Sequence, residues 1–174
     1  MLTPELNFER IAFNLSKGSP IIFPTDTLPA LGSSPKYAFK LWDLKKRSLK
    51  KPLILMGATQ EQLFDLLDEF PVESVLEISR NYWPGPLTIV LPAFGEVVDL
   101  LNPGSKTIGL RVPDNDYARK LLEYTGPLAT TSANISGQSS CNSMEEASQV
   151  FPDIPILGPL HWVNNSGIAS TVIE

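Results

Sequence analysis

Ile21-Ile22-Phe23-Pro24-Thr25-Asp26-Thr27 is a short apolar run that stops at a proline and opens into two hydroxyls and a carboxylate. The run predicts a buried strand, since three consecutive apolar residues can be covered on both faces. A hydroxyl- and carboxylate-bearing segment at the carboxyl end of such a strand is placed to meet a ligand in the crevice of an α/β sheet. An ordinary turn or helix cap has the same composition, so this segment alone leaves both readings open.

Working outward, the same arrangement recurs. Leu128–Thr131 predicts a strand and is followed by Ser132-Ala133-Asn134-Ile135-Ser136-Gly137, small polar side chains with a glycine that can present donors to a phosphate or a base. Thr107–Val112 predicts another strand, and Arg111 sits in it among Leu110, Val112 and Pro113. A charge at a half-buried strand position needs a partner. That partner is either a structural Asp or Glu or a substrate carboxylate, and the company of the other polar segments favours the substrate. A further strand, Leu53–Met56, follows Lys45-x-Arg47-x-x-x-Lys51-Pro52. Three cations around one connection suit phosphate oxygens, Arg by its bidentate fork and Lys as a compact charge. Trp83-Pro84-Gly85-Pro86-Leu87-Thr88, two prolines round a glycine before an apolar run, predicts a rigid structural turn.

Helical spacing fills the gaps. Phe8, Ile11, Ala12 and Leu15 share a face, with Gly18 placed to end that helix. Tyr37, Leu41 and Leu44 form the stripe of a second helix. Helices are also predicted over 60–68, 72–82, from an Asp114 cap to Leu122, and over Met144–Val150, with strands at Leu87–Leu91, near Ile154 and over Ile168–Ile173. Strands alternating with helices predict an α/β fold with a mixed sheet in one domain spanning 1–174, without an additional C-terminal domain. Strand order is not readable from this pattern.

The chain of 174 residues is 43% hydrophobic, enough to fill one core. No apolar run is long enough for a membrane span, and no charged-then-apolar leader opens the sequence, so a cytoplasmic protein is expected. A single cysteine, Cys141, and a single histidine, His161, make neither an internal disulfide nor a His/Cys zinc site. Any metal would be magnesium carried with phosphates. The net charge is −5, yet seven of the fourteen basic residues lie between Lys36 and Lys51. A charge run of this kind is ordinarily a solvated helix face; the phosphate-suited spacing from Lys45 onward is what sets it apart.

Taken in order, P-T-D-T, K-x-R-x-x-x-K-P-L, W-P-G-P-L-T, R-V-P, S-A-N-x-S-G and S-T-V resemble the YrdC-like family from about Ile21 to Ile173. The resemblance implies a twisted mixed sheet with flanking helices around a positively charged cavity. It also implies an enzyme, an L-threonylcarbamoyladenylate synthase, that condenses L-threonine, bicarbonate and ATP to threonylcarbamoyl-AMP with release of pyrophosphate. Mg²⁺ would accompany the nucleotide. A downstream threonylcarbamoyl transferase system would move the group to an adenosine of tRNA, and weak RNA or tRNA binding is implied as well. By the same resemblance Arg47 and Lys51 meet the ATP phosphates with Lys45 beside them, Lys45 and Arg47 being the catalytic pair. Thr107, Ser132, Asn134 and Ser140 complete the nucleotide pocket, while Thr27, Arg111, Thr130 and Ser170 hold threonine, Arg111 by its carboxylate.

The sequence departs from the family pattern at several points. Leu28-Pro29-Ala30 stands where members read x-Tyr-Gly, Met56 where several carry histidine, and Ser166-Gly167-Ile168-Ala169-Ser170 where G-G-x-E-S is commoner. The chain stops at Glu174 where relatives supply a further phosphate-binding arginine. These departures motivate the alternative, a diverged nucleotide- or double-stranded-RNA-binding protein without synthase activity.

Overall fold

The structure, a computed structural model, describes residues 5–69, 71–158, 162 and 165–174. In chain order the elements are α1 (Phe8–Ser16), β1 (Ile21–Phe23), β2 (Ala30–Ser33), a 3₁₀ turn (Pro35–Tyr37), α2 (Phe39–Lys45), β3 (Ile54–Met56), α3 (Gln60–Phe64), α4 (Glu73–Tyr82), β4 (Leu87–Pro92), α5 (Glu96–Leu101), β5 (Thr107–Arg111), α6 (Asp116–Thr125), β6 (Leu128–Ser132), α7 (Met144–Val150) and β7 (Thr171–Ile173).

Local chemistry sets several of these boundaries. Asn7, Thr59, Asn115 and Ser143 each accept a backbone N–H of the first helical turn of α1, α3, α6 and α7, satisfying a donor that the helix itself leaves free. Asn115 therefore caps α6 in place of the expected Asp114, whose carboxylate instead pairs with Arg119. Gly18 follows α1 with φ +86°, and a Cβ there would lie 2.8 Å from the Tyr37 ring, so both conformation and space demand glycine.

The strands form one mixed sheet in the order β1-β2-β6-β3-β5-β4-β7. β3 pairs with β5, and β4 with β7, in parallel; the other neighbours are antiparallel. Two expectations change. No strand forms near Ile154; Ile156 and Leu157 make isolated bridges to Ile22 and Glu5. The final strand begins only at Thr171. β2 and α5 are elements that the sequence pattern did not announce.

Period-2 alternation splits the core into two layers. Ile22, Leu31, Leu55, Ile89, Ile108 and Leu110 face one side, where α2, α3, α4, α5 and α7 bury Trp42, Leu63, Leu76, Leu101 and Met144. Ile21, Phe23, Ala30, Met56 and Leu128 face the other, packed by Ile11 and Leu15 of α1 and by Ala118, Leu121 and Leu122 of α6. The lining of a cleft on this second face shows where that cover ends.

Candidate active site

Register builds the cleft floor. Ala30 lies opposite Ser132, Ile54 opposite Thr130, and Met56 opposite Arg111, so these side chains emerge on one face across four strands. Together with Thr27 and Leu28 from the β1–β2 connection, Arg47 and Pro52 ahead of β3, Thr131, Ser140, Ala169 and Ser170, they line a cleft of about 290 Å³.

At one end stands Arg111, buried in full. Its Nη2 donates to Asp26 Oδ1 at 2.6 Å, its Nη1 to Thr27 Oγ1 at 2.7 Å and its Nε to the Gly85 carbonyl at 3.2 Å. The charge thus has a structural partner after all. A guanidinium carries five N–H groups, so one hydrogen on each terminal nitrogen is left for a ligand in the cleft. Burial lowers the Arg111 pKa and the neighbouring Asp26 carboxylate opposes that shift. Asp26 Oδ1 also accepts the Asp114 amide, while its Oδ2 is buried without a hydrogen-bond partner. The W-P-G-P turn, read as purely structural, therefore contributes a carbonyl to the Arg111 setting.

Hydroxyls surround this end. Thr25 Oγ1 lies 3.1 Å from Thr27 Oγ1, and Thr130 donates weakly to the Ile54 carbonyl at 3.4 Å. Ser170 Oγ sits 2.9 Å from the buried Thr88 hydroxyl, a contact that sequence reasoning missed. The segment before it is pinned over the P-T-D-T connection, with the Ser166 amide donating to the Asp26 carbonyl and the Gly167 amide to the Thr27 carbonyl.

At the other end Arg47 is half-buried, with Nε on the Lys51 carbonyl at 3.2 Å and Nη2 on the Pro52 carbonyl at 3.0 Å. Three of its N–H groups stay available. Burial lowers its pKa, but an arginine at this position stays charged. Ser132 and Ser140 line the same cleft.

The remaining predicted residues lie elsewhere. Lys51 has an exposed side chain beside Arg47. Thr107 shares the cleft face of β5 with Arg111 but sits four residues away, about 13 Å along the strand, with its hydroxyl held by Asn102 and Ser105. Lys45 and Asn134 are buried behind the cleft wall. The Lys45 ammonium donates to the carbonyls of Ser132 and Asn134 and to Asn134 Oδ1, and burial, with Arg47 nearby, pulls its pKa down to about 8. Pro29 and Ala30 are absorbed without disruption: the Pro29 carbonyl accepts the Ala133 amide, and Ala30 opens β2. Among the described residues no group of three or more His, Cys, Asp or Glu could hold a metal; His161 lies outside them.

The Sua5/YciO/YrdC family model, described as "Telomere recombination", matches residues 14–174. The chain belongs to the Sua5/YciO/YrdC family. Within the family, the threonylcarbamoyl-AMP synthase of Vibrio parahaemolyticus is 36% identical over 152 residues, covering 84% of this chain and 82% of that protein. The Pyrococcus abyssi protein of the same name is 35% identical over 169 residues, 92% of this chain and 48% of its own length. A structure of P. abyssi Sua5 complexed with L-threonine superposes with a TM-score of 0.87 at 31% identity, covering 95% of this chain and 49% of that one. E. coli YciO shares the fold at a TM-score of 0.79 and 24% identity, over 98% and 85% of the two chains.

Proposed function

We propose that this protein is a threonylcarbamoyl-AMP synthase, using L-threonine, bicarbonate and ATP. The observation that carries the reading is Arg111: a fixed, buried guanidinium on Thr27 with two hydrogens to spare, in a cleft that the Thr130 and Ser170 hydroxyls also line. That setting suits an amino acid's carboxylate and hydroxyl. Relatives at about 35% identity bearing the synthase name support it.

The amine of threonine adds to bicarbonate with loss of water, giving a carbamate. A carbamate oxygen then bonds to the α-phosphorus of ATP while the bond to pyrophosphate breaks. The chain needs no nucleophile of its own; its part is to hold the reactants in line and to offset charge. Arg111 fixes the carboxylate at one end, and Arg47, Ser132 and Ser140 receive the phosphates at the other, with Lys51 beside them. The adenosine lies along β5 toward Thr107. Magnesium, with no carboxylate cluster among the described residues to receive it, would be held by the phosphates and share their charge. The product is an activated acyl-adenylate, which a transferase system must consume in carrying the group to a tRNA adenosine.

The alternative, a nucleotide- or double-stranded-RNA-binding relative without synthesis, is not favoured. Both ends of the cleft are furnished, and Pro29 and Ala30 fit the hairpin they occupy. Calorimetric titration of L-threonine into wild type and Arg111→Gln tests the reading. Wild type binds threonine, the variant loses at least about ten-fold in affinity, and ATP binding stays within two-fold or so, because a charge-assisted pair is worth about 1.5–3 kcal/mol. Equal threonine affinities would remove Arg111 from the amino-acid site.

A further inference from the structure

The end of α2 and the loop after β6 form one hydrogen-bonded unit. Lys45, fully buried, gives its three ammonium hydrogens to three acceptors: the Ser132 carbonyl, the Asn134 carbonyl at 2.7 Å and Asn134 Oδ1 at 3.1 Å. Its own carbonyl accepts the Ser136 amide at 3.0 Å. Asn134 is equally spent. Its Oδ1 takes the Ser132 hydroxyl at 2.6 Å as well as Lys45, and its Nδ2 donates to the carbonyls of Ile135 and Gln138 at 2.9 and 2.8 Å. Neither residue lines the cleft, whereas their neighbours Arg47, Ser132 and Ser140 do.

An ammonium with every hydrogen engaged has none to offer a phosphate, and an amide with both donors and its oxygen engaged has none to offer a base. A buried cation is tolerated only where such acceptors converge. We propose that Lys45 and Asn134 are positioning residues, a buried clamp that fixes loop 132–138 against the end of α2 and so sets where Ser132, Ser140 and Arg47 face the nucleotide, without touching it. The proposal rests on the synthase reading for the identity of the nucleotide, but the clamp exists without one.

Two groups with charge or a titratable proton act on Lys45: Arg47, which disfavours its charge, and the buried Cys141 thiol, whose thiolate would favour it. Burial and Glu146 push that thiol's pKa up, and the Lys45 ammonium opposes the shift.

The test has two arms. In nucleotide-free protein, Lys45→Met fills the space but donates nothing, and amide exchange at Asn134 and Ser136 should accelerate at least about ten-fold. Unchanged exchange overturns the clamp. In the second arm, ATP affinity is measured for Lys45→Met, Asn134→Ala and the double variant. A clamp acts as a unit, so each single change weakens ATP about ten-fold and the double change adds little more. Additive losses identify independent ligands and overturn the proposal. Should Lys45→Met not fold, the wild-type amides of 132–138 are followed by NMR against pH without nucleotide. Loss of these amides' protection from exchange as the pH is raised supports the clamp, and amides that exchange as fast as an unstructured loop at every pH overturn it. A wild type that binds no ATP would sink the synthase reading while leaving the exchange arm a valid test.

Discussion

Arg111 is where binding and stability meet. Its side chain and that of Asp26 are 4% and 12% exposed, so removing one partner strands a charge in the interior. Breaking such a pair costs about 3–5 kcal/mol, whereas removing both charges together is far milder. Arg111→Gln should therefore unfold at markedly lower denaturant, and adding Asp26→Asn should restore most of the loss without restoring threonine binding. Recovery of both would mean that Arg111 serves the fold alone. The sequence raised both partners, carboxylate of the protein and carboxylate of a substrate, and the geometry has room for both on one guanidinium.

Lys45 gives a second residue-scale prediction, with a sign fixed by linkage. In the unfolded chain it holds its proton to near 10.5; in the fold it releases it near 8. Between those values the unfolded state binds more protons, so this group makes stability rise with pH. Chemical unfolding of wild type and Lys45→Met from pH 7 to 10 should show wild type gaining on the variant above pH 8. A constant difference would contradict the burial of a charged Lys45. Its spacing to Arg47 made it look like a phosphate ligand, because sequence shows which cations are close but not which one points inward.

At the scale of elements, the segment leading into β7 is the part of the site furthest from the core. It is held by main-chain bonds to Asp26, Thr27 and Pro86 and by the Thr88–Ser170 hydroxyl contact. Thr88→Val keeps the shape and removes the hydroxyl. Losing one net hydrogen bond of about 0.5–1.5 kcal/mol should weaken threonine between two- and ten-fold by calorimetry and leave ATP unchanged. No change in threonine affinity would take Ser170 out of the amino-acid site. Sequence pattern found α1, α4, β4, β5, β6 and α7 because their periodicity was long enough to read. It missed β2, where Ala30-Leu31-Gly32-Ser33 has little β-character of its own. That strand is made by its two neighbours, and Gly32 is required because a Cβ would lie 2.8 Å from the Phe23 ring. It also placed a strand near Ile154 that became two bridges, since an apolar residue flanked by prolines carries no register information.

Across the whole molecule, the excess of positive charge is confined to Lys36–Lys51, on a chain of net charge −5. Electrostatic binding scales with the phosphates neutralised, so a short RNA duplex should bind weakly and lose affinity steeply between two salt concentrations. Tight, salt-insensitive binding would point to a built RNA surface instead. Strand order was unreadable from sequence because it depends on which edges meet in three dimensions, yet it is the order β2-β6-β3-β5 that lays Ser132, Thr130, Ile54 and Arg111 across one floor. The six motifs were legible one by one; the convergence of their polar side chains is a property of the sheet. This convergence brings an amino acid, bicarbonate and ATP together for the synthase reaction. Incubation with ATP, Mg²⁺, L-threonine and labelled bicarbonate, followed by separation of the products, measures it directly. Label should enter an acyl-adenylate in step with pyrophosphate release, with threonine favoured over valine because the hydroxyl partners Thr27, Thr130 and Ser170 would face an empty position. ATP binding without threonine-dependent pyrophosphate or labelled adenylate would contradict it.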